Sequence, residues 1–374
     1  VILWLLERLA GEGQPLGPLS SLAVRAALAA GLAFGVALLM GPRLLRWLHR
    51  RQYIEKVTLT DSPELNRINA NKAPTPTMGG LMIVGAILVA GLICGDLDNA
   101  YVRLGLVSTV GYGFIGFIDD WRKLTRREHL GLTAAAKYTM QFLIALSLAW
   151  GITLIFQMRG NADQLLALHL PFTGGMMIDL SAWGGIPHIL LVLLVVTGTS
   201  NAVNLTDGMD GLAAGSMVTS ALAMAAICVV VGRAPALAPT KELLAVPGSQ
   251  EMTVFCTAIA GATLGFLWFN AAPALVYMGD TGSLPLGSLL GYVAVVAKHE
   301  LVLLLVGGIF VVEAASVILQ VGVFKVSGGR RVLRCAPLHH HYQFGGMPET
   351  RITIRFWIVS VLLAAAGMAS LAVA

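Results

Sequence analysis

The stretch Val102–Arg127, "VRLGLVSTVGYGFIGFIDDWRKLTRR", decides how the chain is to be read. After Arg103 it is apolar or small as far as Ile118, then sets Asp119 and Asp120 side by side, then adds Arg122, Lys123, Arg126 and Arg127. A run of this kind fits a bilayer-crossing helix of roughly 20 residues. Two carboxylates at a helix C-terminus meet the negative end of the macrodipole, where they cost energy. Their placement predicts a compensating cation close by.

The remainder of the chain has the same character. Of its 374 residues 56% are hydrophobic and 12% charged, with a mean hydropathy of +0.78, against about 25% charged in an ordinary soluble domain. An all-α integral membrane protein follows, and residues 1–374 read as a single polytopic domain. Cys94, Cys228, Cys256 and Cys335 form no CxxC pair, so neither a disulfide framework nor a zinc site is implied. The opening "VILWLLERLAGEG" lacks a basic n-region and a small-residue cleavage site, and reads as a short interfacial segment that stays on the chain.

Ten spans are predicted: Ala23–Leu48, Gly79–Cys94, Val102–Ile118, Ala134–Phe156, Ile186–Ala202, Leu212–Val231, Thr253–Phe269, Leu284–Ala297, Leu301–Val321 and Ile352–Leu371. The loops after spans one, three and nine, with the ends that flank them, hold 18 of the 25 lysines and arginines. The positive-inside rule makes those loops cytoplasmic and both termini external. The net charge of +5 then reflects topology and anionic lipid or substrate, and no nucleic-acid surface is expected. A turn-like "TGG" within Gln157–Gly185 predicts a small external hairpin between spans four and five, while Gly232–Gln250 reads as a plain loop. The pairs Gly31/Gly35, Gly261/Gly265 and Gly287/Gly291 predict close helix packing.

On this topology the ionisable residues gather in a cytoplasm-facing cleft: Asp119 and Asp120, "NAVNLTDGMDG" from Asn201, "FNAAPALVYMGDTGS" from Phe269, and "PLHHHYQF" from Pro337. Ionisable groups beside hydrocarbon are expensive unless paired, so a shared site is expected. Asp210 and Ser283 have the simpler reading of helix N-caps. Asn204, Asp207 and Asp210 recur every three residues and share a face if that segment is helical. Asp280, in a glycine-flanked turn with no base nearby in sequence, suits a metal, and carboxylates with water suit Mg²⁺ held jointly with substrate phosphate. His339, His340 and His341 are a transition-metal tract in one reading and hydrogen-bond donors or proton carriers at a diphosphate in the other. Lys72, Lys123 and Lys137 supply charge to neutralise that diphosphate. Metal-holding carboxylates and cations in one cleft describe phosphoryl transfer. A transporter would set its charges nearer the bilayer midplane, commonly with inverted repeats.

The segments "PTPTMGG", "GFIDDWRK", "NAVNLTDGMDGL", "FLWFN", "MGDTGS", "VVEAASVILQ" and "APLHHHYQ", in this order, resemble the bacterial phospho-N-acetylmuramoyl-pentapeptide transferase family over nearly the whole chain. The resemblance implies ten helices, a homodimer in the bacterial inner membrane, and transfer of the phospho-sugar-peptide from its UDP conjugate to undecaprenyl phosphate with release of UMP. It implies Asp119, Asp120, Asp280 and His339 as catalytic, with Asp280 a magnesium ligand, and Asp119 and Asp120 are expected to join it around the same ion. Lys72, Asn204, Asp207, Asp210, Asn270 and Gln320 match positions lining the nucleotide pocket, and Tyr277 stands where the family has phenylalanine, ready to stack on uracil. Gln343 stands where the family's histidine run ends in glutamate. A sister enzyme that transfers N-acetylglucosamine 1-phosphate to a polyprenyl carrier would share the aspartates, and the histidine run argues against it. In-line attack by the lipid phosphate, with Asp119 as base, and a two-step route through a phospho-aspartate both fit these residues. Glu313 is unassigned: it is a buried hydrogen-bonded acid or it marks a helix break.

Overall fold

The structure, a computed structural model, describes residues 20–53, 74–125, 131–160, 162–233 and 245–373. Lys72, the opening segment and most of the Gly232–Gln250 connection lie outside the described residues. The helices are α1 (Leu22–Arg51), α2 (Gly80–Cys94), α3 (Ala100–Thr125), α4 (Ala134–Met158), α5 (Ala182–Thr206), α6 (Leu212–Gly232), α7 (Met252–Asn270), α8 (Asp280–Val296), α9 (Gly308–Val326) and α10 (Glu349–Val373). Short helical turns occupy Ala162–Leu165, Ser249–Glu251, Glu300–Val306 and Leu338–Gln343.

Among the described residues eight segments are long and apolar enough to cross a membrane: α1, α3, α4, α5, α6, α7 with its preceding turn, α9 and α10. The two shorter ones have different surroundings. Every residue of α8 is buried, its faces covered by α3, α5 and neighbouring helices. A helix apolar on all sides belongs in a core, and α8 is the axis around which the site is arranged.

Where no water drives association between helices, small residues permit close backbone approach. A Cβ on Gly265 would lie 2.8 Å from Phe34 O, and one on Gly291 2.9 Å from Val195 O. Gly261 and Gly287 likewise abut the carbonyls of Ala30 and Thr199. Gly31 and Gly35 depart from the expected pattern, since nothing lies within 4 Å of either position: α1 meets α7 through Ala30, Phe34 and Ala37 instead. The expected ninth span is also revised. Glu300–Val306 and α9 are separate helices that meet at Gly307 (φ −95°, ψ 20°), where two consecutive glycines weaken helical continuity.

At one end of the bundle Arg25 forms a forked pair with Glu251 at 2.5 and 2.8 Å and donates to Cys94 O, tying the ends of α1, α2 and α7. At that end a two-stranded antiparallel hairpin, β1 (Ala167–His169) with β2 (Met177–Asp179), joins α4 to α5. Lys298 anchors it, donating to Leu165 O at 3.0 Å and pairing with Glu300 at 2.9 Å. The kinked entry Trp183–Gly185 has positive φ throughout, so regular α5 begins at Ile186.

Candidate active site

The other end collects the ends of α3, α5, α7 and α9 with the starts of α2, α4, α6, α8 and α10. Its organising contact is Asp120. This carboxylate accepts from the backbone N–H of Asp280 (3.1 Å) and of Thr281 (2.9 Å), and from the Thr281 hydroxyl (2.6 Å). The residue before α8 is Gly279, with φ 71° and no side chain to cap the helix. Asp120 therefore supplies from α3 the cap that local sequence lacks. A carboxylate that costs energy at its own helix C-terminus is stabilised by the positive N-terminus of another helix. Gly116 lets this happen, because a Cβ there would strike the backbone of Asp280 and Thr281. Gly80, on α2, abuts Gly282 in the same way.

Asp119 points elsewhere, as adjacent helical residues about 100° apart must. It accepts from Lys123 at 2.6 Å and from the backbone N–H of Leu132 at 2.7 Å. Asp280 receives Lys137 at 2.5 Å and the Asn204 amide at 2.8 Å, with Lys123 3.6 Å away. Lys123 is thus shared between α3's Asp119 and α8's Asp280. These pairs supply the cation that the sequence requires, and they give Asp280 the base that its own neighbourhood lacks. Asn204 also donates to Ser283 Oγ at 2.8 Å, which in turn donates to Gly279 O. Ser283 lies inside α8 and is not its N-cap.

Asn204, Asp207 and Asp210 do not share a helical face. Asn204 closes the last turn of α5, Asp207 is its C-cap with ψ 51°, and Asp210 follows in a turn. Nor does Asp210 cap α6, whose first residue follows Gly211; its carboxylate accepts from Ala274 N at 2.9 Å, and its own N–H donates to Glu349. Asn270 accepts from Gly211 N at 3.0 Å and donates to Val276 O at 2.9 Å, bracing the loops before α6 and α8. Tyr277 bridges two strands of chain through its backbone, donating to Pro76 O and accepting from Gly79 N. Gln320 accepts from Val332 and Leu333 N–H and donates to Leu333 O, fixing the loop that leaves α9.

The histidine segment is docked by Glu313. The acid receives His339 N at 3.1 Å and lies 3.0 Å from His339 Nδ1, both side chains being fully buried. Glu313 is therefore a hydrogen-bonded acid, and the break lies six residues earlier at Gly307. His339 Nε2 is buried, has no hydrogen-bond partner among the described residues, and abuts Gly208 between α5 and α6. His340 Nδ1 meets Gln343 at 2.8 Å, and His341 Nδ1 accepts from Arg334 N at 3.1 Å. The three rings face different partners, which disfavours a common transition-metal site. Glu313 is a residue of the candidate site whose partner the sequence does not reveal; its signal is an isolated acid within a long apolar run.

One carboxylate oxygen from each of Asp119, Asp120 and Asp280 lies within 4.8 Å of the others, and all three residues are buried. Hard oxygen donors at this spacing suit Mg²⁺ or a similar cation. Three carboxylates against Lys123 and Lys137 leave one uncompensated negative charge. All three carboxylates accept at both oxygens, but Asp120 is held by the start of α8 alone, whereas Asp119 and Asp280 are each held in part by a lysine, which makes these two the better placed to take a cation.

Residues 102–298, the segment carrying all three aspartates and both lysines, match the glycosyl transferase family 4 model. A phospho-N-acetylmuramoyl-pentapeptide-transferase of Nitratidesulfovibrio vulgaris (strain DP4) is 47% identical over 343 residues, 91% of this chain and 90% of the relative. The enzyme of the same name from Thermodesulfovibrio yellowstonii is 43% identical over 347 residues, 93% and 92% of the two chains. The chain belongs to the phospho-N-acetylmuramoyl-pentapeptide-transferase family. The lysine-bridged aspartates lie within the segment that the family model matches, and the Glu313-held histidine abuts the 207–210 turn at Gly208.

Proposed function

We propose that the chain transfers phospho-N-acetylmuramoyl-pentapeptide from its UDP conjugate to undecaprenyl phosphate, forming a lipid-linked diphosphate and releasing UMP. It is a multi-pass membrane transferase, acting as one polytopic domain with the cleft open to the cytoplasm and both termini outside, and the homodimer implied by the family is part of this reading. The observation that carries it is the buried cluster of Asp119, Asp120 and Asp280 bracketed by Lys123 and Lys137.

In the reaction an oxygen of the lipid phosphate attacks the sugar-proximal phosphorus, a new P–O bond forms, and the bond to UMP breaks with its electron pair leaving on UMP. A phosphate monoester loses its second proton near pH 6, so the acceptor is mostly dianionic and Asp119 serves as base for the remaining fraction. Asp280 and Asp119 would hold Mg²⁺, which when bound offsets charge on the diphosphate and orients it. Asp120 fixes where Asp280 stands by capping α8. Lys123 and Lys137 turn from carboxylate to phosphate oxygens as substrate enters. His339, its Nδ1 occupied by Glu313, offers Nε2 to a phosphate oxygen.

The test is UMP release from purified protein mixed with undecaprenyl phosphate, the UDP-sugar-peptide and Mg²⁺. Asp280→Asn should reduce turnover by at least about a thousandfold, as loss of a central charge-stabilising group does, and should weaken Mn²⁺ binding measured by paramagnetic relaxation while leaving thermal unfolding near wild type. Wild-type turnover in that variant would remove Asp280 from the centre.

A further inference from the structure

We propose that Arg330, Arg331 and Arg334 bind the carboxylates of the donor's peptide, making the loop between α9 and Leu338–Gln343 the peptide-recognition surface of the enzyme. This deepens the transferase reading and rests on it.

Lys325, Arg330, Arg331, Arg334, Arg351 and Arg355 are all exposed, and none pairs with an acid among the described residues. Between Lys325 and Arg355 the chain has one acid, Glu349, which is turned inward to Asp210 N. The end of α1 is basic too, but there Arg43 and Arg46 fold back on carbonyls of their own helix, Leu39 O and Pro42 O. Such charges are what an anionic leaflet selects. The 330–334 segment differs because it is built onto the catalytic groups.

Gln320 takes the N–H groups of Val332 and Leu333, the His341 ring takes Arg334 N, and the Arg334 guanidinium donates to Phe344 O at 3.2 Å. Contacts run continuously inward: Arg334 to His341, along the same short helix to His339, from His339 to the 207–210 turn at Gly208, and through Asn204 to Asp280. On the outer side Arg334 and Arg355 flank the exposed Gly345–Gly346 turn, Arg355 lying 3.7 Å from Met347 Sδ. A donor whose diphosphate sits at the aspartates must send its peptide out of the cleft. A pentapeptide carries at least a C-terminal carboxylate, and guanidinium is the side chain best shaped to hold one. Exposed arginines without an acidic partner among the described residues, on a loop tied to the site's margin through Gln320 and His341, meet that need.

The discriminating experiment uses the full chain in nanodiscs of neutral or anionic lipid. Two donors are compared, one with its peptide carboxylates intact and one with them amidated. Arg330→Gln combined with Arg331→Gln leaves the Arg334 contacts intact and tests the charge without disturbing the loop. The ratio of kcat/KM for the intact over the amidated donor should fall about tenfold in the double variant, the effect expected of a few exposed charge-assisted contacts, and equally in both lipids. Adding Arg334→Lys should lower it further. An unchanged ratio overturns the proposal, and so does a loss that follows the anionic-lipid content with both donors, which would assign the arginines to the leaflet. If wild-type protein releases no UMP from either donor, the transferase reading itself has failed, an outcome distinct from the other two.

Discussion

Glu313 is the only acid in α9, and it is fully buried, where an unpaired carboxylate would cost several kcal/mol. Its two oxygens answer the backbone and the ring of His339, so the acid fixes both the position of the histidine segment and the nitrogen that carries the proton. A carboxylate opposite Nδ1 leaves Nε2 for substrate, the arrangement by which a buried acid sets histidine's tautomer in hydrolases. Glu313→Gln keeps the volume, but its amide can present a donor to Nδ1 and invert the tautomer. The expected result is a kcat lower by about 10²–10³-fold, with donor KM and thermal unfolding little changed; equal losses in unfolding temperature and activity would mean that Glu313 only supports packing. At this scale the sequence is informative where a residue type is costly in its surroundings. Asp119, Asp120 and Asp280 are legible as a group because carboxylates near hydrocarbon need partners. Asn270 and Gln320 are not legible as loop braces, because their partners are backbone groups whose proximity exists only in three dimensions. The same holds for Asp210, which resembles an N-cap by position but turns to Ala274.

The start of α8 is where two elements depend on each other. Asp120 can cap α8 only if α3 and α8 approach within backbone contact, and Gly116 is the residue that allows it. Gly116→Ala should cost about 1–3 kcal/mol as an overpacked contact and, because the displaced residue is Asp280 itself, should reduce UMP release far more than thermal stability. Gly35→Ala, with nothing within 4 Å, is the matched control and should be neutral or slightly stabilising; equal activity in the two variants would dismiss the tight junction. The hairpin poses an opposite case, an element held by buried polar groups. Burial, followed by the nearby His299 and Lys298, pushes His169 down to about 4. Its folded value lies below the unfolded one, so docking is undiminished at pH 7 and weakens as pH falls from about 6.5 towards 4, where only the released hairpin takes up the proton. Amide exchange at Leu168 and Ile178, corrected for intrinsic rate, should accelerate from pH 7 to pH 5, and His169→Gln should abolish most of that acceleration. Both elements were legible in outline from apolar runs and turn residues. The cap on α8 was not, since the carboxylate that accepts from it lies 160 residues away, and neither was the division at Gly307, since a short apolar run reads alike whether it is continuous or broken.

Across the whole molecule, polar interactions concentrate at two levels with different purposes. At the hairpin end, Arg25–Glu251 and Lys298–Glu300 are closed pairs whose contacts run to backbone carbonyls and bind helices together. At the opposite end the ion pairs are open: three carboxylates share two lysines, an imidazole nitrogen is unclaimed among the described residues, and arginines face outward. The proposed reaction uses the open end, and the lysine and arginine count of the loops leads to the expectation that this end faces the cytoplasm. Charge bias is readable in sequence because it needs only loop membership, whereas the burial of all of α8 is not, because a core helix and a lipid-facing helix can have the same composition. The sidedness has a direct test. Cys94, Cys228 and Cys256 are buried, so replacing the half-buried Cys335 by alanine yields a background with little reactive thiol. Thr173, at the exposed hairpin tip, and Ser327, just beyond α9, are then changed to cysteine one at a time. A maleimide that cannot cross membranes should label T173C in intact spheroplasts and S327C only in inverted vesicles. Labelling of S327C from outside would place the aspartate cluster on the wrong side of the membrane for a nucleotide-linked donor made in the cytoplasm, and the proposed reaction could not then be the one this end of the molecule performs.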